Sequence, residues 1–431
     1  MQPKTSSMTN RSTMRFRAMT NCVCVVLACG LALGHASAGE LPQVTPHEVG
    51  LSAAKLGKVK SILQAQVDKQ QIAGAVVLVA RHGKVAFCEA VGKLDLKSGK
   101  PMRPDAIFRI YSMTKPITSV AALILLEEGK LKLDDPVAKY LPELKDLRVY
   151  SAKDQTVAAK RPVTIRDLMR HTSGFTYGMP NGTPVDRLYI KNRVGEGTLP
   201  ELVRQLGTLP LQDQPGARFN YSVSTDVLGR LIEVVSGEPL DKFFRERIFR
   251  PLDMHDTGFT ITDEKLDRLA TAYGRTAKGT LGVMDMPAKS HYRRAPRYFS
   301  GGGGLLSTAC DYCRFCQMLL NGGELDGQRV LRPDTIAQLT TNQLPAEAMP
   351  FKLGGLPLPG FGFGLGVMVR LASKSGVGRF DGEYSWSGSA STFFWVAPQP
   401  QLIVIILEQI EPLDLLPQLR LKPLIDSALA D

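Results

Sequence analysis

Several signatures of common enzyme classes are missing from this 431-residue chain. It contains neither the G-x-S-x-G nucleophile elbow of α/β-hydrolases nor the H-E-x-x-H motif of zinc proteases. The glycine run at residues 301–304 lacks the G-K-[ST] ending of a phosphate-binding loop, so nucleotide binding has little support. Backbone that approaches a ligand or another strand explains the run better. We also find no internal repeat and no long low-complexity segment.

Cysteine is scarce beyond residue 38. Three of the seven cysteines precede that point, and the four that remain do not indicate a disulfide framework in a chain of this length. Cys310, Cys313 and Cys316 form a C-x-x-C-x-x-C pattern, which also occurs in metal and iron–sulfur sites. The pattern falls on a predicted amphipathic helix over residues 311–320, with no fourth ligand nearby. We therefore interpret these cysteines as small packed side chains and expect no metal and no cofactor.

No acidic residue occurs before Glu40, whereas four basic residues do. They precede an apolar run at residues 22–33, too short to span a bilayer, and an A-x-A sequence ending at Ala38. This arrangement predicts a signal peptide over residues 1–38, cleaved after Ala38, and hence a periplasmic or secreted protein without a stable membrane span. The alternatives are an uncleaved, disordered N-terminus and a lipoprotein processed at Cys29.

The positive charge does not indicate a nucleic-acid partner. Four of the 53 basic residues lie in the predicted signal, leaving 49 against 41 acidic residues, a net charge of +8. These residues are scattered, and the one basic cluster with aromatics, residues 292–299, is too short for such an interface. We interpret the cluster as a solvated loop that could flank a cleft.

Hydrophobic patterns place strands at both ends of the chain and helices between them. Strand-like runs occur at residues 74–80, 85–91, 361–371, 391–396 and 402–408. Helical spacing occurs at residues 52–69, 116–128, 165–170, 199–206, 225–236, 240–248 and 413–430. The order predicts an α+β fold with one antiparallel sheet made from both chain ends, flanked by helices, plus an inserted all-helical domain. We expect an α/β domain from residues 39–105 and 295–431 and a mainly helical domain over residues 106–294.

Ser112 and Lys115 form an S-x-x-K motif at the start of the predicted helix over residues 116–128. Residues three apart on a helix lie on one face, about one turn apart. A serine nucleophile needs a group that takes its proton, and a desolvated, neutral lysine amine can do so. Ser52 and Lys55 match the same short motif, so the wider sequence context must select between the two pairs.

That context resembles the serine β-lactamase-like hydrolases, in particular the class C β-lactamases and the family VIII carboxylesterases. The similar segments occur in the family's order, at residues 108–115, 126–137, 164–174, 215–222, 251–257 and 303–311. They extend over nearly the whole mature chain. The resemblance implies a β-lactamase/penicillin-binding-protein-like fold, with Ser112 as the nucleophile and Lys115 as its base. It implies a structural role for His171 in an H-T-S-G turn.

The family's Y-x-N motif corresponds to Tyr221-Ser222-Val223. The resemblance implies that Tyr221 shuttles a proton between the nucleophile and the leaving group, as a tyrosine beside a lysine can. A buried tyrosine with one satisfied hydroxyl is the structural alternative. Val223 replaces an asparagine that helps to hold an amide of β-lactam substrates, which argues against β-lactamase activity.

The family's K-T-G motif, on a strand that faces the nucleophile, corresponds to Trp386-Ser387-Gly388. Tryptophan removes the lysine that attracts a β-lactam carboxylate and offers an apolar wall, although it could also be a plain packing residue. Related esterases carry W-G-G here. The backbone N–H groups of Ser112 and Ser389 are implied as the oxyanion hole. The residues expected to bind substrate are Trp386, Ser387, Gly388, Tyr111 and Tyr177, although both tyrosines could equally be core or surface residues.

These features predict a secreted, cofactor-free serine esterase that acts on small-molecule esters through an acyl-enzyme. A β-lactamase or D-Ala-D-Ala carboxypeptidase-like amide hydrolase would use the same residues, with Arg293, Arg294 or Arg297 as a substitute cation. A catalytically weak, penicillin-recognising binding protein is the third alternative. The sequence indicates neither the natural substrate nor the oligomeric state.

Overall fold

The fold is built on an antiparallel sheet that joins the two ends of the chain. The computed structural model describes residues 40–152, 155–372, 380–414 and 416–429; the predicted signal at 1–38, with Cys29, lies outside them. The strands are β1 (Gly74–Arg81), β2 (Lys84–Asp95), β3 (Lys100–Pro101), β4 (Phe108–Arg109), β5 (Arg148–Tyr150), β6 (Thr156–Ala158), β7 (Ala272–Arg275), β8 (Leu281–Asp285), β9 (Leu306–Ser307), β10 (Glu324–Leu325), β11 (Gln328–Arg329), β12 (Lys352–Leu353), β13 (Leu356–Pro357), β14 (Phe361–Phe363), β15 (Met368–Arg370), β16 (Tyr384–Gly388), β17 (Thr392–Ala397), β18 (Leu402–Leu407) and β19 (Ile410–Glu411).

Eight of these strands form the main sheet, in the order β14-β15-β16-β17-β18-β1-β2-β3. Each neighbouring pair is antiparallel, and the pairing of β1 with β18, in which Val76 lies opposite Leu407, joins the two ends of the chain. Successive residues of β1 point to opposite faces, so Val76 enters one buried apolar cluster and Val77 the other. Both faces are covered, which explains the continuous apolar runs. The predicted sheet from both chain ends is confirmed.

The helices cover both faces of this sheet and fill the middle of the chain. They are α1 (Ala53–Asp68), α2 (Thr114–Glu127), α3 (Ile165–Met169), α4 (Pro184–Lys191), α5 (Leu199–Thr208), α6 (Ser224–Ser236), α7 (Leu240–Phe244), α8 (Ala309–Leu320), α9 (Pro333–Thr340) and α10 (Leu416–Asp426). Helices α1 and α10 pack together on one face, and α8 packs against β18 and β1 on the other. None of the described helices is both long and apolar enough to cross a membrane.

Helix α2 is the central helix, because every residue from Thr114 to Leu125 is buried. It packs against α6. A helix that is apolar all round belongs in the interior of a protein, and α2 is entirely apolar from Val120 to Leu126, with polar residues toward its N-terminal end. There the buried Lys115 introduces a polar group, so this end of the helix needs specific partners for it.

Three expectations from the sequence need correction. The run at 361–371 forms two short strands, β14 and β15, because Gly366 between them has a φ of +99°, outside the extended region. Residues 106–294 are mainly helical but contain β4–β8, and β7 pairs with β8 and, in parallel, with β19. Helices α4 and α9 have no counterpart among the predicted helical runs. The domain boundaries at 105 and 294 stay a prediction; all described residues belong to one compact unit.

Candidate active site

Ser112 lies in a 3-10 turn, Tyr111–Met113, that leads directly into α2. Tyr111 has a φ of +42°, a conformation that costs energy for a residue other than glycine and often occurs at functional sites. Ser112 is partly exposed, whereas Lys115 on the first turn of α2 is fully buried. The turn therefore leaves the serine partly accessible to solvent while the helix keeps the lysine away from water.

The Lys115 amine contacts two oxygen atoms. Its Nζ lies 3.0 Å from Ser112 Oγ and 2.6 Å from the carbonyl oxygen of Gly302. A base must lie within hydrogen-bond reach of the proton it removes, and the first distance meets that requirement. The structure therefore brings the two predicted catalytic residues together, and a neutral Lys115 amine can accept the Ser112 proton.

The second S-x-x-K pair forms a helix cap. Ser52 is the N-cap of α1, and its hydroxyl accepts a hydrogen bond of 3.4 Å from the backbone N–H of Lys55. The Lys55 amine instead donates to the carbonyl oxygen of Ser427, at 2.5 Å. A serine that caps a helix, with its lysine bound elsewhere, has a structural role. The two S-x-x-K pairs therefore differ in the structure, because only the lysine of the Ser112 pair contacts its serine hydroxyl.

Two tyrosines surround the buried lysine. The ring centroid of Tyr221, which lies just before α6, is 4.6 Å from Lys115 Nζ, and that of Tyr177 is 5.4 Å from the same atom. The two rings lie 5.3 Å apart. Burial, and then the neighbouring Tyr221, raises the pKa of Tyr177 well above its ordinary value, so Tyr177 stays a neutral phenol. Tyr111 and Tyr177 were both expected to bind substrate, and Tyr177 belongs to this cluster around Lys115.

Trp386 on β16 forms a wall beside Tyr221. Its side chain is 4% exposed, and its ring centroid lies 5.4 Å from that of Tyr221 and 5.1 Å from that of Phe363. The indole Nε1 is buried, and no described residue accepts its hydrogen. Ser387, the next residue, is half-buried. An apolar indole therefore occupies the side of the site where the motif places a lysine.

Gly388 lets β16 approach the nucleophile turn. A Cβ atom at this position would lie 2.3 Å from both the Ile110 carbonyl oxygen and Thr392 Oγ1, closer than any real contact. The Thr392 hydroxyl also donates to the Ile110 carbonyl, at 3.3 Å. The exposed Ser389 follows in a turn that Ser391 closes by donating its N–H to the Gly388 carbonyl. Strand β16 thus packs against the turn that carries the serine, as the motif predicts.

His171 lies behind Tyr221 and is fully buried. The two ring centroids are 4.8 Å apart, and His171 Nδ1 lies 3.4 Å from Ser222 Oγ. Burial, and to a lesser degree the neighbouring Lys115, lowers the pKa of His171 well below its ordinary value. His171 is therefore neutral at physiological pH, and its position fits the structural role of supporting Tyr221.

Tyr111 points away from the tyrosine cluster. Burial, and then a hydrogen bond to the Glu411 carboxylate of β19, raises the pKa of its hydroxyl. Close by, the fully buried Arg109 binds Asp285 Oδ2 through its Nε at 2.8 Å and donates to the Ala270 carbonyl at 2.6 Å. These bonds tie the backbone just before the nucleophile to β8 and β19. Sequence reasoning assigned no role to Arg109.

Sequence reasoning also missed Asp226 on α6. Its carboxylate is almost fully buried and accepts hydrogen bonds from Ser300 Oγ at 2.5 Å and from the Gly302 N–H at 3.1 Å. Burial raises the pKa of Asp226, and these two bonds and Lys115 oppose that rise. The glycine segment, residues 301–304, therefore packs between α2 and α6 and supplies the carbonyl that binds Lys115.

The three cysteines of the C-x-x-C-x-x-C pattern lie on α8. Cys313 and Cys316 are fully buried, and Cys310 is half-buried. Burial raises the pKa of the Cys313 thiol, first by desolvation and then through Cys310. The predicted helix and its packing role are confirmed for the two buried cysteines, which face the β1–β18 side of the core.

Comparisons with known proteins decide the family. A family model described as Beta-lactamase matches residues 59–420. The chain belongs to the β-lactamase family. An uncharacterized protein of Mycobacterium tuberculosis is 37% identical over 358 residues, which cover 79% of this chain and 87% of that protein. Esterase EstB of Burkholderia gladioli is 30% identical over 383 residues, which cover 84% of this chain and 92% of EstB.

Solved structures of the family share the fold. EstCE1, described as a hydrolase with promiscuous acyltransferase activity, superposes with a TM-score of 0.74 at 30% identity. The match covers 86% of this chain and 98% of EstCE1. The predicted β-lactamase/penicillin-binding-protein-like fold is thereby confirmed.

Proposed function

We propose that this protein is a serine hydrolase that cleaves carboxylic esters through an acyl-enzyme on Ser112. The observation that carries the proposal is the buried Lys115 amine, 3.0 Å from Ser112 Oγ at the start of the central helix. Its relatives EstB, an esterase, and EstCE1, a hydrolase with promiscuous acyltransferase activity, support the same chemistry. Family membership therefore supports ester hydrolysis or acyl transfer, and the site geometry supports a serine nucleophile.

Acylation follows from the arrangement of three side chains. Ser112 Oγ attacks the ester carbonyl carbon while its proton passes to the neutral Lys115 amine. The negative charge on the carbonyl oxygen is stabilised by the backbone N–H groups of Ser112 and Ser389. Tyr221, next to the lysine, gives its proton to the departing alkoxide and regains one from Lys115. The products are the free alcohol and an ester of the acyl group with Ser112.

Deacylation reverses these proton transfers. A water molecule attacks the acyl carbonyl, gives its proton to the Lys115–Tyr221 pair, and Ser112 regains a proton as it leaves. The carboxylic acid is released. If an alcohol replaces the water, the same steps form a new ester, so hydrolysis and acyl transfer need the same residues.

The walls of the site favour neutral esters over β-lactams. Trp386 stands where a lysine would attract a carboxylate, and Val223 replaces the motif's asparagine. Two of the possible substitute cations already have partners, because Arg293 pairs with Asp263 at 2.9 Å and Arg297 donates to the Glu196 carbonyl at 3.3 Å. A β-lactamase or D-Ala-D-Ala carboxypeptidase-like activity is the second candidate, since it would use the same nucleophile and base.

We also propose that the protein works in the periplasm or outside the cell, with the signal cleaved after Ala38. The support is the charge and hydropathy pattern of residues 1–38. N-terminal sequencing of protein exported by a bacterial host tests this: a mature N-terminus at Gly39 is expected, and an intact Met1 or a lipid-modified Cys29 would contradict it.

Specificity constants for two substrates test the proposed function. We expect p-nitrophenyl butyrate to be hydrolysed far more efficiently than a chromogenic cephalosporin, and both activities to vanish in Ser112→Ala. Equal or greater efficiency on the cephalosporin would assign the protein to the β-lactamase candidate. Turnover of neither substrate would favour the penicillin-recognising binding protein.

A further inference from the structure

We infer that Asp226 is a positioning residue for catalysis: by holding the glycine segment, it places the Gly302 carbonyl on Lys115. The inference rests on the proposed function, because it assigns Asp226 a role in the action of the base. Asp226 does not contact the reacting atoms itself. It acts through the backbone of a single residue.

The geometry links the carboxylate to the base through Gly302. The Gly302 N–H donates to Asp226 Oδ1 at 3.1 Å, and the Gly302 carbonyl accepts from Lys115 Nζ at 2.6 Å. Ser300 Oγ donates to the same carboxylate oxygen at 2.5 Å. Two hydrogen bonds to one buried carboxylate therefore fix the backbone that binds the lysine. Bonds to a charged acceptor are stronger than neutral ones.

The glycine segment is shaped for this contact. A Cβ atom at Gly302 would lie 2.5 Å from Asp226 Oδ2, and one at Gly301 would lie 2.7 Å from the Thr225 carbonyl. The Thr118 hydroxyl of α2 donates to the Gly301 carbonyl at 2.7 Å. The segment is thus held on one side by α2 and on the other by α6, and glycine permits both approaches.

The position of the Gly302 carbonyl decides what the lysine can do. A neutral amine has two N–H bonds and one lone pair. When one N–H points to a fixed carbonyl, rotation of the amine is restricted, and the lone pair can be directed at Ser112 Oγ. After the proton transfer, the ammonium ion keeps its bond to the Gly302 carbonyl and lies near the negative charge of Asp226. That charge favours the ammonium formed in the acylation step.

Asp226 has no ion-pair partner in the part of the chain that the structure describes. Lys115 is the basic residue that opposes the rise in its pKa, and Asp226 in turn contributes to the raised pKa values of the Tyr177 and Tyr298 phenols. A buried carboxylate without a paired cation carries a desolvation cost. A role in holding the base gives a reason for that cost.

Asp311 offers a matched control. Like Asp226, it is a buried aspartate that accepts one backbone N–H, from Asp256 at 2.8 Å, and one hydroxyl, from Thr257 at 2.8 Å. Burial raises its pKa as well. It lies on α8, and its hydrogen bonds involve none of the residues of the site. Asp226→Asn and Asp311→Asn thus remove the same charge from similar surroundings, and only the first acts on Lys115.

The experiment compares both variants with the wild type in steady-state hydrolysis of p-nitrophenyl butyrate and in the rate of Ser112 labelling by a fluorophosphonate. We expect Asp226→Asn to lower kcat and the labelling rate by at least about tenfold, with KM within about twofold, since a charged hydrogen-bond network acts on the base. Asp311→Asn should keep both rates within about twofold of the wild type. Melting temperatures show that each variant is folded at the assay temperature.

Two outcomes would overturn the inference: wild-type labelling by folded Asp226→Asn, or an equal loss in folded Asp311→Asn. If Asp226→Asn does not fold, Ser300→Ala removes one of the two donors to the carboxylate, and an unchanged labelling rate in that variant would overturn the inference instead. Failure of the proposed function is distinguishable. A wild-type protein that is labelled at Ser112 but hydrolyses no ester refutes the ester substrate, and the labelling rates still test Asp226.

Discussion

Replacing Gly388 with alanine adds one methyl group at the contact between β16 and the nucleophile turn. The new Cβ would lie 2.3 Å from the Ile110 carbonyl oxygen and from Thr392 Oγ1, whereas ordinary van der Waals contact begins at 3.4 Å. Strand and turn must therefore separate by about 1 Å, because the Ile110 carbonyl belongs to the backbone and cannot rotate away.

The magnitude follows from that displacement. Overpacking of a buried contact costs about 1–3 kcal/mol of folding free energy. Catalysis should suffer more, because Ile110 lies two residues before Ser112 and a misplacement of about 1 Å can lower a rate by about a hundredfold. We therefore expect Gly388→Ala to be a folded protein with a lowered melting temperature and a kcat reduced by about two orders of magnitude.

Steady-state kinetics with p-nitrophenyl butyrate, run below the melting temperature of the variant, measure this effect. Gly57→Ala is the matched control, because a Cβ at Gly57 of α1 meets nothing within 4 Å. It should leave kcat unchanged and add about 0.5–1 kcal/mol of stability, since alanine is the better helix residue. A Gly388→Ala enzyme with near-normal kcat would refute the close approach on which the site depends.

Three further substitutions test other parts of the structure. Lys115→Arg should lower acylation by at least about a hundredfold, because arginine cannot lose its proton; near-normal fluorophosphonate labelling would show that Lys115 supplies only a charge. Ser52→Ala should cost about 1 kcal/mol in urea unfolding as a lost helix cap, with kcat unchanged, and a loss of activity would contradict that role. At Asp167, burial is outweighed by Arg161 and by hydrogen bonds from Thr164 and Thr172, which lower its pKa to about 2. The stability that this group contributes is therefore present above its ordinary pKa of 3.8 and is lost as the pH falls toward 2. Between pH 6 and pH 2 the free energy of unfolding of the wild type should fall by about 2 kcal/mol more than that of Asp167→Asn. Equal losses in the two proteins would refute the pairing.

Features that depend on one short segment of the chain were predictable from the sequence. The sheet was predictable because β1 and β18 are continuous apolar runs at opposite ends of the chain. Helix α2 was predictable because its second half, from Val120 to Leu126, is entirely apolar. Ser112 and Lys115 lie one helical turn apart, so their contact follows from local geometry. Tyr221 and Trp386 were predictable through their motifs. In each case a short segment carries the signal.

Contacts between distant segments were not predictable in the same way. Asp226 binds the Gly302 N–H across 76 positions of the chain. The sequence of α6 itself does not indicate that this aspartate accepts hydrogen bonds from a distant backbone segment. Arg109 meets Asp285 across 176 positions. The positive φ at Gly366 divides residues 361–371, which the sequence predicts as one strand, into two strands. These features depend on how the helices and the sheet pack, which no single segment specifies.

The covalent attachment site tests the central claim most directly. The protein is labelled with a fluorophosphonate, digested and mapped by mass spectrometry, in the wild type, in Ser112→Ala and in Ser52→Ala. We predict one labelled peptide, containing Ser112, in the wild type and in Ser52→Ala, and no labelled peptide in Ser112→Ala. A label that persists in Ser112→Ala, or that maps to the peptide containing Ser52, would contradict the assignment of the nucleophile.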